Sequence, residues 1–241
     1  MTPADGGEGR QPRPGRPQLA PEDLSADRDR ALELTPVSRE TVERLDRFVA
    51  MLLDWQRRMN LISRSSEAAV WTRHVADSLQ LLPLAPEARI WADLGAGGGF
   101  PGVVIACALA DRPGAEVHLV ESNGKKAAFL REAAQATGAP ATVHQLRIEE
   151  FVEKTVQTFD AVTARALAPL PQLLPMAYPL LRKGALGLFP KGQDVGSELT
   201  EAAKCWTLQS NLVQSRTDAR GQIVVVRGLA PKPREKGSRP R

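Results

Sequence analysis

The chain has 241 residues, 42% apolar and 25% charged, with a formal net charge of +4. That length suits one domain with extensions, and no apolar run approaches the roughly 20 residues of a membrane span. Two cysteines, Cys107 and Cys205, cannot build a disulfide framework or a zinc site, and without an apolar signal-peptide core near its start the chain reads as cytoplasmic, with no membrane partner.

Residues 1–34 are rich in Gly, Pro, Arg and Asp, show no sustained periodicity, and are expected to be disordered. Order is expected from about Thr35. Ser38 can cap a helix whose apolar face is Val42, Leu45, Phe48, Val49, Leu52 and Trp55 or Met59, stopping at Asn60. A second helix should open near Ser66-Glu67, carry Val70, Trp71, His74, Val75, Ser78, Leu79 and Leu82 on one face, and end at Pro83 and Pro86. From Ile90 strands and helices alternate, which implies a parallel sheet covered on both faces. The expected strands are Ile90–Leu94, Glu116–Glu121, Ala141–Leu146, Phe159–Ala164 and Ala185–Phe189, then an antiparallel pair, about Thr207–Gln214 and Gln222–Arg227. Helices are expected from Pro101, over Lys125–Thr137 with Gly138 as its stop, near Glu149–Thr155, in a Pro-rich run reaching Leu181, and near Ser197–Cys205. From Pro231 onward Lys232, Arg234, Lys236, Arg239 and Arg241 against Glu235 account for the whole net charge. Such a tail reads either as a phosphate-seeking arm or as a solubilising terminus.

The stretch from Ile90 to Gly102 is a short apolar strand ending in Asp93 and Leu94, followed by Gly95, Gly97, Gly98, Gly99 and Gly102. A strand turning through glycines into a helix brings backbone N–H groups and a helix N-terminus to a ligand. Gly97-x-Gly99-x-x-Gly102 matches the dinucleotide fingerprint. Asp93-x-Gly95-x-Gly97-x-Gly99 matches the first motif of class I S-adenosylmethionine methyltransferases. The acid favours that cofactor's cationic amino-acid end and would repel a pyrophosphate, so S-adenosylmethionine is the expected cofactor and NAD the alternative.

Glu121, at the end of the second strand, stands where doubly wound folds place an acid on ribose hydroxyls. Ile148 and Glu149 follow the third strand, where an adenine would lie, although Glu149 also suits a helix first turn. Arg165 ends the fourth strand, at the rim where the methyl should emerge. It could grip an RNA phosphate, position the cofactor's carboxylate or act as an ion-pair partner. His118 and His144 fall inside strands as packing residues; His74, beside Arg73 and one turn from Asp77, could join them in a charged lip over the cleft. Metal-ligand spacing is absent, so no metal is expected. Lys125-Lys126 at a helix start run against the helix dipole and hint at a phosphate partner. After the fourth strand Thr163-Ala164-Arg165-Ala166 replaces the Asn/Asp-Pro-Pro-aromatic motif of amino-group methylation, neither cysteine is placed for attack on a pyrimidine, and no general base stands out. A target with a free lone pair, such as guanine N7, needs only in-line positioning and a tolerant electrostatic surround.

These residues also carry a family resemblance. Met59-Asn60-Leu61, the run from Arg73 to Leu79, the run from Asp93 to Gly102, Leu119-Val120-Glu121-Ser122, the run from Lys125 to Leu130, Arg147-Ile148-Glu149, Thr163-Ala164-Arg165-Ala166 and Lys191-Gly192 resemble the bacterial 16S rRNA guanine-N7 methyltransferases, also called glucose-inhibited division protein B. The resemblance covers about Leu45 to Arg227, with departures at Ala96, Leu146 and Ile148. It implies a class I, Rossmann-like methyltransferase fold with a seven-stranded, mostly parallel sheet at 88–230, behind an N-terminal helical cap at 35–87. A tail at 1–34 and a basic tail at 231–241 flank these. It further implies cofactor contacts at Gly95, Phe100, Ile148, Glu149 and Arg165, with Glu121 on the ribose, and leaves Arg165 and His74 as candidates beside the transfer. The implied partner is 16S rRNA, in the small ribosomal subunit or its assembly intermediate; separately, the chain is expected to be a monomer. A non-enzymatic RNA-binding factor with an inert cofactor cleft is the other alternative.

Overall fold

The computed structural model describes residues 21–233. Its centre is a seven-stranded sheet: β1 (Ile90–Leu94), β2 (Glu116–Val120), β3 (Ala141–His144), β4 (Ala161–Thr163), β5 (Leu186–Lys191), β6 (Trp206–Gln214) and β7 (Gln222–Pro231), in the order β3-β2-β1-β4-β5-β7-β6. The first five strands run parallel, and β7 is antiparallel to both β5 and β6. Strand order reverses between β1 and β4, and ligands of such sheets bind in the crevice at the carboxyl ends of those strands.

Each strand between two helical layers alternates its side chains between them. Trp91 enters one apolar core with Phe48, Leu52, Val104 and Phe129, while Ala92 and Leu94 enter the other with Phe151, Leu170 and Leu174. The helices that supply these layers are α1 (Pro21–Leu34), α2 (Arg39–Gln56), the short α3 (Asp77–Leu79), α4 (Gly102–Leu109), α5 (Gly124–Thr137), α6 (Ile148–Lys154), α7 (Leu170–Leu181) and α8 (Val195–Ala202). Local chemistry sets their ends. Ser38 accepts the Thr41 N–H at the start of α2, as expected of an N-cap. Gly138, at φ 64°, closes α5 by donating back to its last turn. The helix α7 keeps its course through Pro175 and Pro179 because Leu170, Leu173, Leu174, Ala177, Leu180 and Leu181 are buried along it.

Two expectations need correction. Order begins earlier than Thr35, since α1 is a packed helix; the rest of the expected tail, 1–20, lies outside the described residues. Along α1, Asp27 and Ala31 are buried and Leu24 and Leu32 pack on the core, while Asp27 and Arg28 add polar tertiary contacts that the sequence did not announce. The second cap helix is not one α-helix. It is a 3₁₀ turn at Arg64–Ala69, a π-helix at Trp71–Ala76, α3, and a 3₁₀ turn at Leu82–Leu84. Its apolar residues are nonetheless buried where expected, including Val70, Trp71, Val75 and Leu79. Smaller shifts follow: α2 ends at Gln56 rather than Asn60, and β7 runs on to Pro231, so the basic tail starts later; 234–241 lie outside the described residues.

Candidate active site

The loop after β1 crosses the carboxyl end of the sheet with Gly95, Gly97 and Gly99 all at positive φ (75°, 53° and 87°), which glycine alone adopts without strain. Gly102 serves a different need. A Cβ there would lie 2.3 Å from Leu119 Cδ2 and 2.6 Å from Asp93 Oδ2, so α4 can only approach β1 and β2 this closely without a side chain. Asp93 is fully buried beneath this loop; its Oδ2 accepts the Gly102 N–H at 2.9 Å, while Oδ1 has no partner. Burial pushes its pKa up to about 7. Its direct role is to tie the glycine loop down, and it does not line the cavity beside that loop.

That cavity, about 390 Å³, is lined by Gly95, Gly97, Glu121, Ile148, Glu149 and Arg165, together with Lys126, Leu146, Leu167 and Met176. Glu121 receives the N–H groups of Gly97 (3.0 Å) and Asn123 (2.7 Å), which fixes the carboxylate at the cavity wall. Five of the six residues expected at the cofactor thus line one cavity. The sixth, Phe100, lines neither this cavity nor its neighbour. It is buried between Phe48 and the ring of His74 (centroids 4.9 Å apart), with the Arg165 guanidinium 5.2 Å above it. Lys126 reaches the cavity and Lys125 is not among its lining residues, so the basic pair is divided.

A second cleft, about 1020 Å³, adjoins the first. Arg73, His74 and Asp77 line it from the cap, Lys191 from β5, and Thr217 and Arg220 from the β6–β7 turn. The two cavities share Arg165, Ala166 and Leu167. Ala166 holds φ 53°, the one non-glycine in the left-handed region among the described residues; that conformation costs an alanine about 1 kcal/mol and persists because its neighbours are fixed. Arg165 donates to Asp77 Oδ2 (3.3 Å), the Arg73 carbonyl (3.1 Å) and His74 Nδ1 (2.6 Å). Asp77 Oδ1 in turn accepts from Gln80 Nε2 (2.8 Å) and Thr217 Oγ1 (2.9 Å). Further along, Lys191 Nζ holds the Ala168 carbonyl at 2.6 Å and pairs with Glu198 at 2.9 Å. Burial pushes the Arg165 pKa down and Asp77 pulls it back up; a guanidinium stays charged. His74 is pushed down to about 3, by burial first and then by Arg165 and Arg73. The expected charged lip is therefore an Arg165–Asp77 ion pair beside a neutral imidazole.

His118 and His144 lie apart from these clefts, joined to each other by a 2.9 Å Nδ1···Nε2 hydrogen bond beside Phe151. Sequence reasoning missed Met176, Leu167 and the β6–β7 turn. Only the Thr163–Ala166 motif pointed toward Leu167, and nothing marked the turn.

Sheet order, glycine loop and paired cavities define the class I S-adenosylmethionine-dependent methyltransferase fold. Solved structures of that shape include an O-methyltransferase from Bacillus cereus in complex with SAH (TM-score 0.56, 15% identity, 86% of this chain and 99% of that one). Another is the O-methyltransferase TomG from Streptomyces achromogenes in complex with SAM (TM-score 0.55, 14% identity, 85% and 96%). At such identities they speak for the fold alone. Residues 41–225 match the family model described as rRNA small subunit methyltransferase G. A protein of Bradyrhizobium sp. (strain BTAi1) called ribosomal RNA small subunit methyltransferase G is 61% identical over 203 residues, 84% of this chain and 91% of its own length. One of the same name from Rhodopseudomonas palustris (strain BisB18) is 56% identical over 211 residues, covering 88% and 90%. The chain belongs to the rRNA small subunit methyltransferase G family, an S-adenosylmethionine-dependent enzyme family acting on rRNA. That assignment sets aside the NAD-dependent oxidoreductase. Among the described residues no helix is long and apolar enough to cross a membrane.

Proposed function

We propose that this chain methylates N7 of a guanine in 16S rRNA, within the small ribosomal subunit or its assembly intermediate, and does so in the cytoplasm. One observation carries the reading: the Arg165–Leu167 segment is a shared wall between a cofactor-sized cavity at the glycine loop and a larger cleft edged with Arg73 and Arg220. The smaller cavity fits S-adenosylmethionine. Glu121 would accept hydrogen bonds from the ribose hydroxyls, and Leu146, Ile148 and Met176 would provide an apolar bed for a purine.

When bound, S-adenosylmethionine supplies a methyl group on a sulfonium. The N7–methyl bond would form as the sulfur–methyl bond breaks, leaving S-adenosylhomocysteine and a cationic purine. Guanine N7 offers an in-plane lone pair, so no side chain has to remove a proton. The protein's work is alignment and charge. Leu167 and Ala166 fix the shared edge where the two cavities meet, beside which the base would reach the methyl directly. Arg165, neutralised by Asp77, and uncharged His74 leave the transfer face without an excess cation that would oppose the product. Arg73 and Arg220 at the cleft hold phosphates of the flanking strand.

The test is transfer of labelled methyl groups from S-adenosylmethionine to naked small-subunit rRNA and to unmodified subunits. Incorporation that falls at least tenfold in Arg165→Ala supports the reading. No incorporation into either substrate, with cofactor binding intact, overturns it and points to a different substrate or an inert binding factor.

A further inference from the structure

The helix α1 precedes residues 41–225, the part of the chain matched by the family model, and contributes no residue to either cavity. Its buried acid nevertheless reaches the segment on which the site is built. Asp27 is 6% exposed. Its carboxylate accepts the backbone N–H of Trp71 at 2.8 Å and that of Thr72 at 3.2 Å, and it also takes the Thr72 hydroxyl. These N–H groups open the π-helix Trp71–Ala76, whose own N-cap, Val70, provides no side-chain acceptor. A carboxylate from a helix more than forty residues upstream therefore fills the place of the missing cap. The neighbouring Arg28 fastens α1 at the same point: its guanidinium binds Asp46 of α2 through two bonds of 2.7 and 2.9 Å and lies 5.5 Å over the Trp71 ring.

A π-helix is a rare turn that survives where its surroundings hold it, commonly at functional sites. This one sets the aim of Arg73 and His74 and leads directly into Asp77. The carbonyl of Arg73, the ring of His74 and the carboxylate of Asp77 converge on the Arg165 guanidinium. Without acceptors for the Trp71 and Thr72 N–H groups, the segment is free to relax to an α-helical register, which rotates those three groups away from Arg165.

We infer that Asp27 is a positioning residue for methyl transfer: it caps the π-helix and so fixes His74 and Asp77 on Arg165 at the wall between the two cavities. The inference rests on the proposed placement of cofactor and guanine on either side of that wall.

Asp27→Asn keeps one acceptor oxygen and Asp27→Ala keeps none, so the pair forms a graded series. Leu24→Ala is the control, since Leu24 belongs to the same helix and packs on the apolar core without touching the π-helix through a hydrogen bond. All assays use the full chain, well below the Tm of each variant. The expected result is a fall in kcat of about tenfold for Asp27→Ala and a smaller one for Asp27→Asn, with KM for the RNA rising by a smaller factor than kcat falls. S-adenosylhomocysteine affinity should fall about fivefold in the same order. Leu24→Ala should keep both values even where its Tm falls as far as that of Asp27→Asn. Equal losses of kcat and affinity in Leu24→Ala and Asp27→Asn at matched Tm would overturn the inference, as would unchanged values in Asp27→Asn. If Asp27→Ala does not fold, the comparison of Asp27→Asn with Leu24→Ala decides. If the wild-type chain transfers no methyl to RNA, the function proposed above fails, and the S-adenosylhomocysteine series still judges Asp27.

Discussion

The guanidinium of Arg165 donates to Nδ1 of His74 at 2.6 Å, and that contact fixes both the tautomer and the charge of the imidazole. Guanidinium nitrogens only donate, so Nδ1 accepts and Nε2 carries the proton, which it gives to Ser66 Oγ at 2.9 Å. Ser66 passes its own hydroxyl proton to the Ser63 carbonyl at 2.8 Å. The chain of donors closes only with a neutral ring.

A pH dependence follows from that neutral ring. The folded-state pKa of His74 lies at about 3, below its ordinary 6.5. Between those values the unfolded chain takes up a proton that the folded chain refuses, so stability falls as pH falls through that window. His74→Gln removes the group and should flatten the dependence by up to about 1.4 kcal/mol per pH unit. Denaturant unfolding across the window checks this, with carboxylates and the His118–His144 pair common to both proteins. An identical slope in the two would show that His74 titrates normally.

Two glycines in the loop separate stability from binding. Gly102→Ala drives a Cβ into Leu119 and Asp93 in the packed interior, and should cost about 1–3 kcal/mol of stability, read in thermal unfolding. Gly95→Ala meets Leu167 Cδ1 at 2.8 Å and must also hold a φ of 75°, which strains an alanine. Because Leu167 belongs to the shared edge, S-adenosylhomocysteine affinity should drop about five- to thirtyfold, measured by calorimetric titration, for a strain of roughly 1–2 kcal/mol. Wild-type affinity in Gly95→Ala would remove Leu167 from the cofactor site.

Much of the sheet was legible because its signals are local. Ser38 caps α2, Gly138 stops α5, and the alternation of apolar strands with helices gives both the parallel sheet and its antiparallel end. Glu121, Ile148, Glu149 and Arg165 were readable because strand ends in such sheets face one crevice. What was hidden depends on contacts distant in sequence. The buried acceptor Asp27 makes α1 look like a charged tail, and its grip on Trp71 and Thr72 is what the π-helix needs. Phe100 was expected at the cofactor, but the packing of Phe48 and His74 encloses it. The β6–β7 turn joins the larger cleft because Asp77 and Gln80 hold Thr217, Ser215 and Arg216, pairings across more than a hundred residues.

Phosphate contacts should appear in the salt dependence of RNA binding. Arg73→Ala and Arg220→Ala each remove an exposed cation lining the larger cleft, and each should reduce the slope of log K against log salt by about 0.7–0.9. Deletion from Arg234 onward, which spares β7 and the Lys232–Cys205 backbone bond, tests the basic tail by the same measurement and should lower the slope further. A tail deletion with an unchanged slope would mark that segment as a solubilising terminus.

The central claim is the target atom, and nucleoside analysis tests it most directly. Small-subunit rRNA and subunits lacking the modification are incubated with the chain and methyl-labelled S-adenosylmethionine, then digested to nucleosides and separated. Label confined to 7-methylguanosine is the predicted result. Label in any other nucleoside would contradict the account of a lone-pair target that needs no general base.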